Sequence, residues 1–360
     1  MRGCVPDMRR LAALLAALLL VISADAQAAT MKKGLYSAYV SEDAPKLRQL
    51  GVTLNTRGLP WVDVASRRPV SPTEPADPAY KWPAELDAAI STNDGLGIDT
   101  SLQVIYAPRW ANGDRSGSFR PSSARDYANF IAAAAKRYPS VRLWQIWGEV
   151  NGGPYVWQPQ PKGIRFRTTL TREQRREPEF YARMLDASYV ALKSVNRKNK
   201  VIGGMTVAGA YYSPATPPAT WTKYMRLPNG KRPRMDLFGH NPMLLARRPD
   251  LTQGPRFAGW RDMSDLDTTI REIDRYFPGR KLPIFVSEFA VWDKPGSLHW
   301  HVNRATQARW TRLALGIARR SKRVHTFSWA SLRNTPALPG WGLLDARGER
   351  KPAFRAFANG

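Results

Sequence analysis

The sequence predicts an α/β fold, a single (β/α)8 TIM barrel. Eight short apolar runs recur along the chain with longer amphipathic stretches between them, which is the alternation that βα units produce. No composition shift, internal repeat or low-complexity tail divides the 360 residues. One barrel with loop insertions accounts for that length.

The apolar runs predict strands at residues 34–37, 52–57, 101–107, 143–148, 201–205, 235–240, 283–288 and 325–331. The stretches between them predict helices that include 41–50, 82–93, 122–138, 178–196, 263–277 and 303–320. Several of these begin with Ser, Asn or Pro at the cap or in the first turn, as helix starts do. Eight strands alternating with helices in one uninterrupted chain favour a closed barrel over an open sheet.

Residues 1–28 have the layout of a secretory signal peptide. Arg9 and Arg10 precede an apolar run at 11–22, and small residues follow it. We therefore expect a catalytic domain of residues 29–360 that is secreted or periplasmic and has no transmembrane segment, because the apolar run is too short to span a membrane comfortably. The single cysteine, Cys4, lies in the predicted signal, so the mature chain would contain no disulfide.

The chain is strongly basic, with a formal net charge of +26. Such a charge attracts polyanions such as acidic glycans, anionic envelope surfaces or nucleic acid. A solvated, arginine-rich surface is the alternative that we favour, because the basic residues are spread along the sequence. The densest cluster, at 318–323, falls at the end of a predicted helix, where cations stabilise the helix dipole. We expect a monomer with no nucleic-acid partner.

Two predicted strands end in glutamate, at Glu149 and Glu288. The C-terminal ends of barrel strands face one cleft, so both carboxylates are predicted to lie in it. Retaining glycoside hydrolysis needs a protonated acid and an ionised nucleophile about 5 Å apart. Taken singly, each glutamate could instead be a helix cap or a surface charge. A partly buried carboxylate is costly unless it is paired, however, which favours a functional pair.

The motifs around these acids resemble those of the clan A glycoside hydrolases, most of all families 39 and 5. WGEVN at 147–151 is similar to the clan's Trp-Asn-Glu-Pro-Asn motif after strand four, which implies that Glu149 is the acid/base. PIFVSEFA at 283–290 resembles the strand-seven motif and implies that Glu288 is the nucleophile. The same resemblance, which runs in order along nearly the whole mature chain, implies substrate contacts at Arg57, Asn151, His240 and Trp329.

Aromatic residues support a carbohydrate substrate. The chain has 13 tryptophans, and the C–H faces of sugar rings pack on aromatic side chains. Trp61, Trp110, Trp292 and Trp329 fall at or after predicted strand ends and are candidate substrate contacts, although we expect roughly half of the tryptophans to be core residues. Arg57 is expected either to pair with Glu288 and hold it ionised or to be a buried ion-pair member.

Two positions depart from the clan's pattern. Gly148 stands where the clan has the asparagine that binds the sugar 2-hydroxyl, and Pro242 stands where it has a tyrosine partner of the nucleophile. Either the substrate lacks a conventionally placed 2-hydroxyl, or other side chains supply these donors, or activity is weak or lost.

No motif implies a cofactor or a metal. The chain lacks a dinucleotide fingerprint, a phosphate-binding loop and a zinc-protease motif, and the spacing of His299 and His301 is a weak zinc signal that we reject. The leading hypothesis is an exported retaining glycosidase acting on a polysaccharide or oligosaccharide, with an anionic glycan as one possibility. The alternatives are a barrel that binds carbohydrate without cleaving it and a basic envelope protein that binds polyanions.

Overall fold

Eight parallel strands form a closed barrel in the computed structural model, which describes residues 31–36, 41–153, 156–160, 168–209, 215–244, 247–251, 259–294 and 301–360. The strands are β1 (Lys32–Tyr36), β2 (Leu54–Pro60), β3 (Asp99–Ile105), β4 (Leu143–Ile146), β5 (Lys200–Val207), β6 (Leu237–Asn241), β7 (Ile284–Phe289) and β8 (Val324–Trp329). Each strand pairs with the next, and β8 pairs with β1. The predicted fold and all eight predicted strands are confirmed, while the predicted signal peptide lies outside the described residues.

Ten α-helices occur in the described ranges. They are α1 (Ala44–Leu50), α2 (Trp61–Val64), α3 (Ala84–Leu96), α4 (Arg109–Asn112), α5 (Ala124–Arg137), α6 (Arg176–Val195), α7 (Pro218–Tyr224), α8 (Leu266–Tyr276), α9 (Arg304–Arg320) and α10 (Pro352–Asn359). The six predicted helices are confirmed, and two of them begin at capping side chains: Ser123 accepts from the Asp126 amide and Asn303 from the Thr306 amide. The helices α2, α4, α7 and α10 are too short to give a clear periodic pattern.

The barrel interior is layered. An apolar layer joins side chains of five strands, Leu54, Leu143, Ile202, Met205, Leu237 and Phe285. A polar layer lies beside it, in which Gln145 of β4 donates to Thr56 of β2 at 3.2 Å and to Ser101 of β3 at 3.0 Å. Because β2 and β4 are not neighbours, the Gln145–Thr56 bond crosses the interior. The Gln145 amide nitrogen thus has its acceptors inside the barrel, below the strand ends where the acids lie.

Strand β4 is shorter than the sequence predicts. Its apolar run continues to Gly148, but the strand ends at Ile146 because Trp147 adopts a left-handed backbone with φ of 66°. No strand conformation has a positive φ. The residues after β4 therefore leave the sheet, and this turn positions Glu149.

Residues Lys32–Gly360 form one compact unit. Among the residues that the structure describes, no helix combines the length and the apolar character needed to cross a bilayer.

Candidate active site

The two predicted glutamates lie together at the C-terminal end of the barrel, and Asn241 at the end of β6 connects them. The Asn241 amide nitrogen donates to Oε1 of Glu149 at 3.1 Å and to Oε1 of Glu288 at 3.4 Å. The Asn241 oxygen accepts from the backbone N–H of Glu288 at 3.1 Å and from the Ser287 hydroxyl at 3.0 Å. These four contacts fix the orientation of the amide, because its oxygen meets only donors and its nitrogen only acceptors.

One nitrogen that binds both carboxylates limits their separation. The two glutamate oxygens are at most about 6.5 Å apart, the sum of the two hydrogen-bond lengths. The acids therefore share one site.

The environment of the pair opposes full ionisation. Burial raises the pKa of Glu149. Burial, and to a smaller extent the negative charge of Glu149, raises the pKa of Glu288 to about 8. The Asn241 hydrogen bond opposes this rise. At neutral pH the two carboxylates therefore hold a proton between them, because two adjacent buried charges repel each other strongly.

The backbone that carries Glu149 is strained. Trp147 and Glu149 have positive φ angles of 66° and 40°, and Tyr106, which follows the neighbouring strand β3, has a φ of 61°. Each such residue costs on the order of 1–3 kcal/mol and persists only where its surroundings enforce it. Strain concentrated beside a pair of buried acids is typical of an active site.

Neighbouring strands enforce the Glu149 turn. The Trp147 amide donates to the Val104 carbonyl of β3 at 3.0 Å, and the Val150 amide donates to the Met205 carbonyl of β5 at 3.0 Å. Asn151 adds a third connection, since its Oδ1 accepts from the Val207 amide at 2.8 Å. Glu149 is thus held from both sides.

Gly148 leaves space that a side chain of the neighbouring strand occupies. A Cβ atom at position 148 would lie 2.8 Å from Nε2 of Gln103, so any larger residue would displace the Gln103 carboxamide. The Tyr36 hydroxyl at the end of β1 donates to Oε1 of Gln103 at 2.9 Å and holds it there. An amide group therefore lies where the clan's asparagine side chain would begin, but it comes from β3.

Two phenols lie near the acids, and one guanidinium lies near the first of these phenols. Burial raises the pKa of Tyr36, and the charges of Glu288 and Glu149 add to that rise. Burial and the same two charges raise the pKa of Tyr106. Arg57 lies close enough to Tyr36 for its charge to lower the pKa of that phenol. The expected pairing of Arg57 with Glu288 stays a prediction, and the raised pKa of Glu288 opposes its ionisation in the free protein.

Asn151 and His240 are buried, with protein partners at their polar side-chain atoms. The Asn151 Nδ2 donates to the carbonyls of Val207 and Thr216, and its oxygen is also engaged. The His240 Nε2 donates to the Arg261 carbonyl at 2.8 Å, which leaves Nδ1 to accept from the Thr206 hydroxyl at 2.9 Å. Burial lowers the pKa of His240 to about 4, so the ring is neutral at pH 7. In this conformation neither side chain is available for the predicted contact with a sugar.

The predicted tryptophans separate into two clusters. Trp61 is buried, stacked on Phe130 and in edge contact with the partly exposed Trp110, whose ring is covered by the Arg68 guanidinium 4.5 Å away. Trp292 lies just after β7, and Trp329 is the last residue of β8. Both are buried, and Trp341 contacts both of them. No face of Trp61, Trp292 or Trp329 is exposed for the predicted stacking on a sugar, because the core already covers these rings.

In the described ranges, no group of three or more His, Cys, Asp or Glu side chains is arranged to hold a metal ion. His299 lies outside those ranges.

The most important residue that the sequence reasoning missed is Asn241. It directly follows His240, the last residue of the predicted strand 235–240, and the next predicted strand ends at Glu288, so its place in the sequence was a usable signal. Gln103 and Tyr36 carried no comparable signal, because their relation to Gly148 depends on the pairing of β3 with β4 and of β1 with β2.

No family model matches the chain, and no curated protein matches its sequence. Solved structures of similar fold include glycoside hydrolases. A family 39 glycoside hydrolase from Bacteroides cellulosilyticus WH2 matches over 92% of this chain and 63% of its own, with 18% identity and a TM-score of 0.62. A monomeric β-xylosidase from Caulobacter crescentus CB15 matches over 91% of this chain and 67% of its own, with 16% identity and a TM-score of 0.60.

A GH5_18 protein from Bifidobacterium longum subsp. infantis matches over 92% of this chain and 78% of its own, with 13% identity and a TM-score of 0.58. The chain thus spans less than two thirds of the length of the family 39 protein. At these identities the likeness shows a common fold, that of the clan A glycoside hydrolase barrels.

Proposed function

We propose that the protein is a retaining glycoside hydrolase that cleaves O-glycosidic bonds of a polysaccharide or oligosaccharide, with Glu288 as nucleophile and Glu149 as acid/base. The observation that carries this proposal is the double hydrogen bond from Asn241 to both acids, which keeps their oxygens within about 6.5 Å. Carboxyl groups of retaining enzymes are about 5–5.5 Å apart, whereas inverting enzymes need about 6.5–9.5 Å to fit a water. The limit admits the retaining distance and only the lower end of the inverting range, which supports retention.

In the first step Glu288 attacks the anomeric carbon while Glu149 gives its proton to the glycosidic oxygen. The bond from the anomeric carbon to that oxygen breaks, and an ester bond to Glu288 forms. In the second step Glu149 takes a proton from water, the water oxygen bonds to the anomeric carbon, and Glu288 leaves as a carboxylate. The proton shared by the raised-pKa pair is the one that the first step consumes.

The role assignment follows the resemblance, because the clan's acid/base comes after strand four and its nucleophile after strand seven. The electrostatic influences of the two acids on the nearby phenols are consistent with it. Of the two acids, Glu288 has the larger influence on the pKa of Tyr36, and Glu149 on that of Tyr106. We propose Tyr36 as the phenol that takes the place of the tyrosine missing at Pro242, and Asn241, Gln103 and Arg57 as further polar neighbours of the reacting sugar.

Azide rescue separates the two roles. Glu149→Ala with azide should give a glycosyl azide that retains the substrate's anomeric configuration, since azide then replaces water on the glycosyl-enzyme. Glu288→Ala with azide should give the inverted azide, since azide attacks the substrate directly. An activated aryl glycoside and NMR of the product are sufficient. Inversion with Glu149→Ala would exchange the roles, and no effect of either substitution on turnover would reject the mechanism.

A second candidate function is carbohydrate binding without cleavage. It is favoured by Gly148 and Pro242, which remove two donors that the clan uses. If a broad panel of glycans shows no turnover by the wild type while binding survives Glu149→Ala and Glu288→Ala, this candidate replaces the enzyme. We also propose that residues 1–28 direct export, which N-terminal sequencing of the mature protein would test.

A further inference from the structure

The positive charge of the chain is concentrated at the N-terminal end of the barrel, opposite the carboxylates. We call this end the basal face and define it as residues 32–33, 47–54, 93–99, 134–143, 192–200, 221–237, 273–284 and 317–324. These segments contain 22 Lys and Arg and four Asp. Their surplus of 18 positive charges is most of the net +26 of the whole chain.

The basal cations form a continuous arc. The segments that lead into β4, β5, β6, β7 and β8 have surpluses of three, four, four, two and four charges, and these strands are consecutive in the barrel. The segment that leads into β3 has two Asp and no cation. The charges are scattered in the sequence, but the closed barrel brings every helix-to-strand connection to the same end.

Many cations of the arc are exposed and have no acidic partner within 4.0 Å among the described residues. They are Arg197, Lys198, Lys200, Arg226, Lys231, Arg275, Arg319, Arg320 and Lys322. Their mutual repulsion lowers stability, and a bound polyanion would relieve it.

A cleft opens on this face beside the end of α6. Its volume is about 550 Å³, and its lining includes Tyr189, Lys193, Ser194, Asn196, Arg197 and Arg234. Two cations lie near the Tyr189 ring, with the Lys193 nitrogen 5.1 Å and the Arg234 guanidinium carbon 5.4 Å from its centroid. Asp186 holds Arg234 through two side-chain bonds of 2.8 and 2.7 Å, so that side of the cleft is preorganised. Lys193 is likewise paired with Asp236, at 2.8 Å, so the cation that the cleft offers to an anion is Arg197, which has no acidic partner among the described residues. An aromatic ring, hydrogen-bonding side chains and this cation together fit a sugar ring with an acidic substituent.

We propose that the basal face binds an anionic polysaccharide, of uronate or sulfated sugars, at a second site separate from the carboxylate cleft. The arc would follow the charged chain, and the cleft would hold one of its sugars. A lipid surface fits less well, because Val190 is the only exposed large apolar side chain bordering this face among the described residues, and surface-bound helices insert an apolar face. The basal site would hold a polymer without blocking the opposite, catalytic end.

The test measures binding to polygalacturonate and to dextran sulfate by titration calorimetry, with neutral dextran as control. The Glu288→Gln variant is used so that no polymer is cleaved. We expect binding to both polyanions, at least about tenfold weaker at 0.5 M than at 0.05 M NaCl because salt screens exposed charges, and no binding to neutral dextran.

Matched variants locate the site. Arg197→Gln with Lys198→Gln removes two cations of the arc, and Arg309→Gln with Arg312→Gln removes two exposed cations of α9 outside it. The basal pair should weaken binding at least about fivefold and the α9 pair less than about twofold. Tyr189→Ala should weaken polygalacturonate binding by about as much as the basal pair does.

Equal losses with both pairs would overturn the basal site and leave only a general charge effect. Binding to phosphatidylglycerol vesicles but not to either polysaccharide would assign the face to a lipid surface instead. Neither result bears on the proposed hydrolase, whose failure would appear as absent turnover in the wild type while basal binding persists.

Discussion

The two carboxylates lie in one site, but one is carried by a strand and the other by a turn with a strained backbone. Glu288 lies within β7, at a register shift between Val286 and Phe289, and its backbone N–H donates to the Asn241 side chain. Glu149 lies three residues beyond β4 on a strained turn, and contacts with β3, β5 and Asn241 hold it. One acid therefore lies inside a barrel strand and is supported locally by Asn241, whereas the other lies beyond a strand end and is held by hydrogen bonds from two neighbouring strands as well. Substitutions of residues around Glu149 should therefore lower the unfolding free energy more than matched substitutions around Glu288. Replacement of the acids themselves should show the opposite order in kcat, with the larger loss at Glu288.

The largest expected effect is the loss of the nucleophile. Glu288→Gln should lower kcat at least about 10⁴-fold on every aryl glycoside, because no other group can form the glycosyl-enzyme. Glu149→Gln should lower it about 10²–10⁴-fold on substrates with poor leaving groups and far less when the leaving group needs no protonation. A leaving-group series measured for both variants checks this. The same dependence for both would contradict the distinct roles.

Removing the connection between the acids should alter both rate and pH dependence. Asn241→Ala deletes hydrogen bonds that favour the charged carboxylates, so the upper pKa of the pair should rise above about 8 and kcat should fall by roughly 10²-fold. The alkaline limb of the profile of kcat/KM against pH reports this pKa. Ser287→Ala, which removes only a donor to the Asn241 oxygen, is the control and should leave the limb in place. If the alkaline limb of Asn241→Ala moved to lower pH instead, Asn241 would not be stabilising the charged carboxylates.

Asn151→Ala tests the tertiary support of Glu149. The substitution leaves the Val207 amide and two carbonyls without their partner and should cost roughly 2–4 kcal/mol of unfolding free energy. Ser287→Ala beside Glu288 loses one bond and should cost about 1 kcal/mol. Denaturant titration of both variants gives the comparison. Equal costs would mean that the two acids are supported alike.

Stability should depend on pH through the raised pKa of Glu288. The folded protein binds this proton more tightly than the unfolded chain, so the contribution is full below pH 4.5 and is lost as the pH rises through about 8. Glu288→Gln removes the cost of ionisation, and its Tm relative to wild type should therefore increase by about 3 °C or more between pH 5 and pH 9. If the difference in Tm between Glu288→Gln and wild type stayed constant from pH 5 to pH 9, the raised pKa of Glu288 would be contradicted.

The smallest effect is expected at Gly148. Its φ is not in the left-handed region, so alanine fits the backbone but displaces the Gln103 carboxamide. We expect Gly148→Ala to raise KM about three- to tenfold with little change in Tm, because a polar neighbour of the sugar moves. Gly95→Ala in α3 has open space around its Cβ and should leave KM unchanged while stabilising the helix slightly. An unchanged KM for Gly148→Ala would place Gln103 outside the substrate site.

The barrel could be predicted because its strands are apolar runs and its helices are amphipathic, which are local properties. Glu149 and Glu288 could be found because each directly follows or ends such a run. The Gln103 amide above Gly148 could not be found, since it depends on the register that pairs β3 with β4. The burial of Trp61 and Trp329 was equally hidden, because a tryptophan at a strand end can face either the core or the cleft. The basal arc shows the same limit, since charges far apart in sequence meet only after the barrel closes.

The central claim, that Asn241 holds two mutually repelling carboxylates in one site, can be tested without knowing the sugar. Carbon-13 NMR of protein labelled at the glutamate carboxyl carbons, titrated from pH 3 to pH 10, reports each ionisation. We predict one glutamate that titrates near pH 8, lost in Glu288→Gln and moved to lower pH in Glu149→Gln, because the neighbouring charge is removed. A spectrum in which no glutamate titrates above pH 6, or in which Glu149→Gln leaves the upper titration unchanged, would contradict the claim.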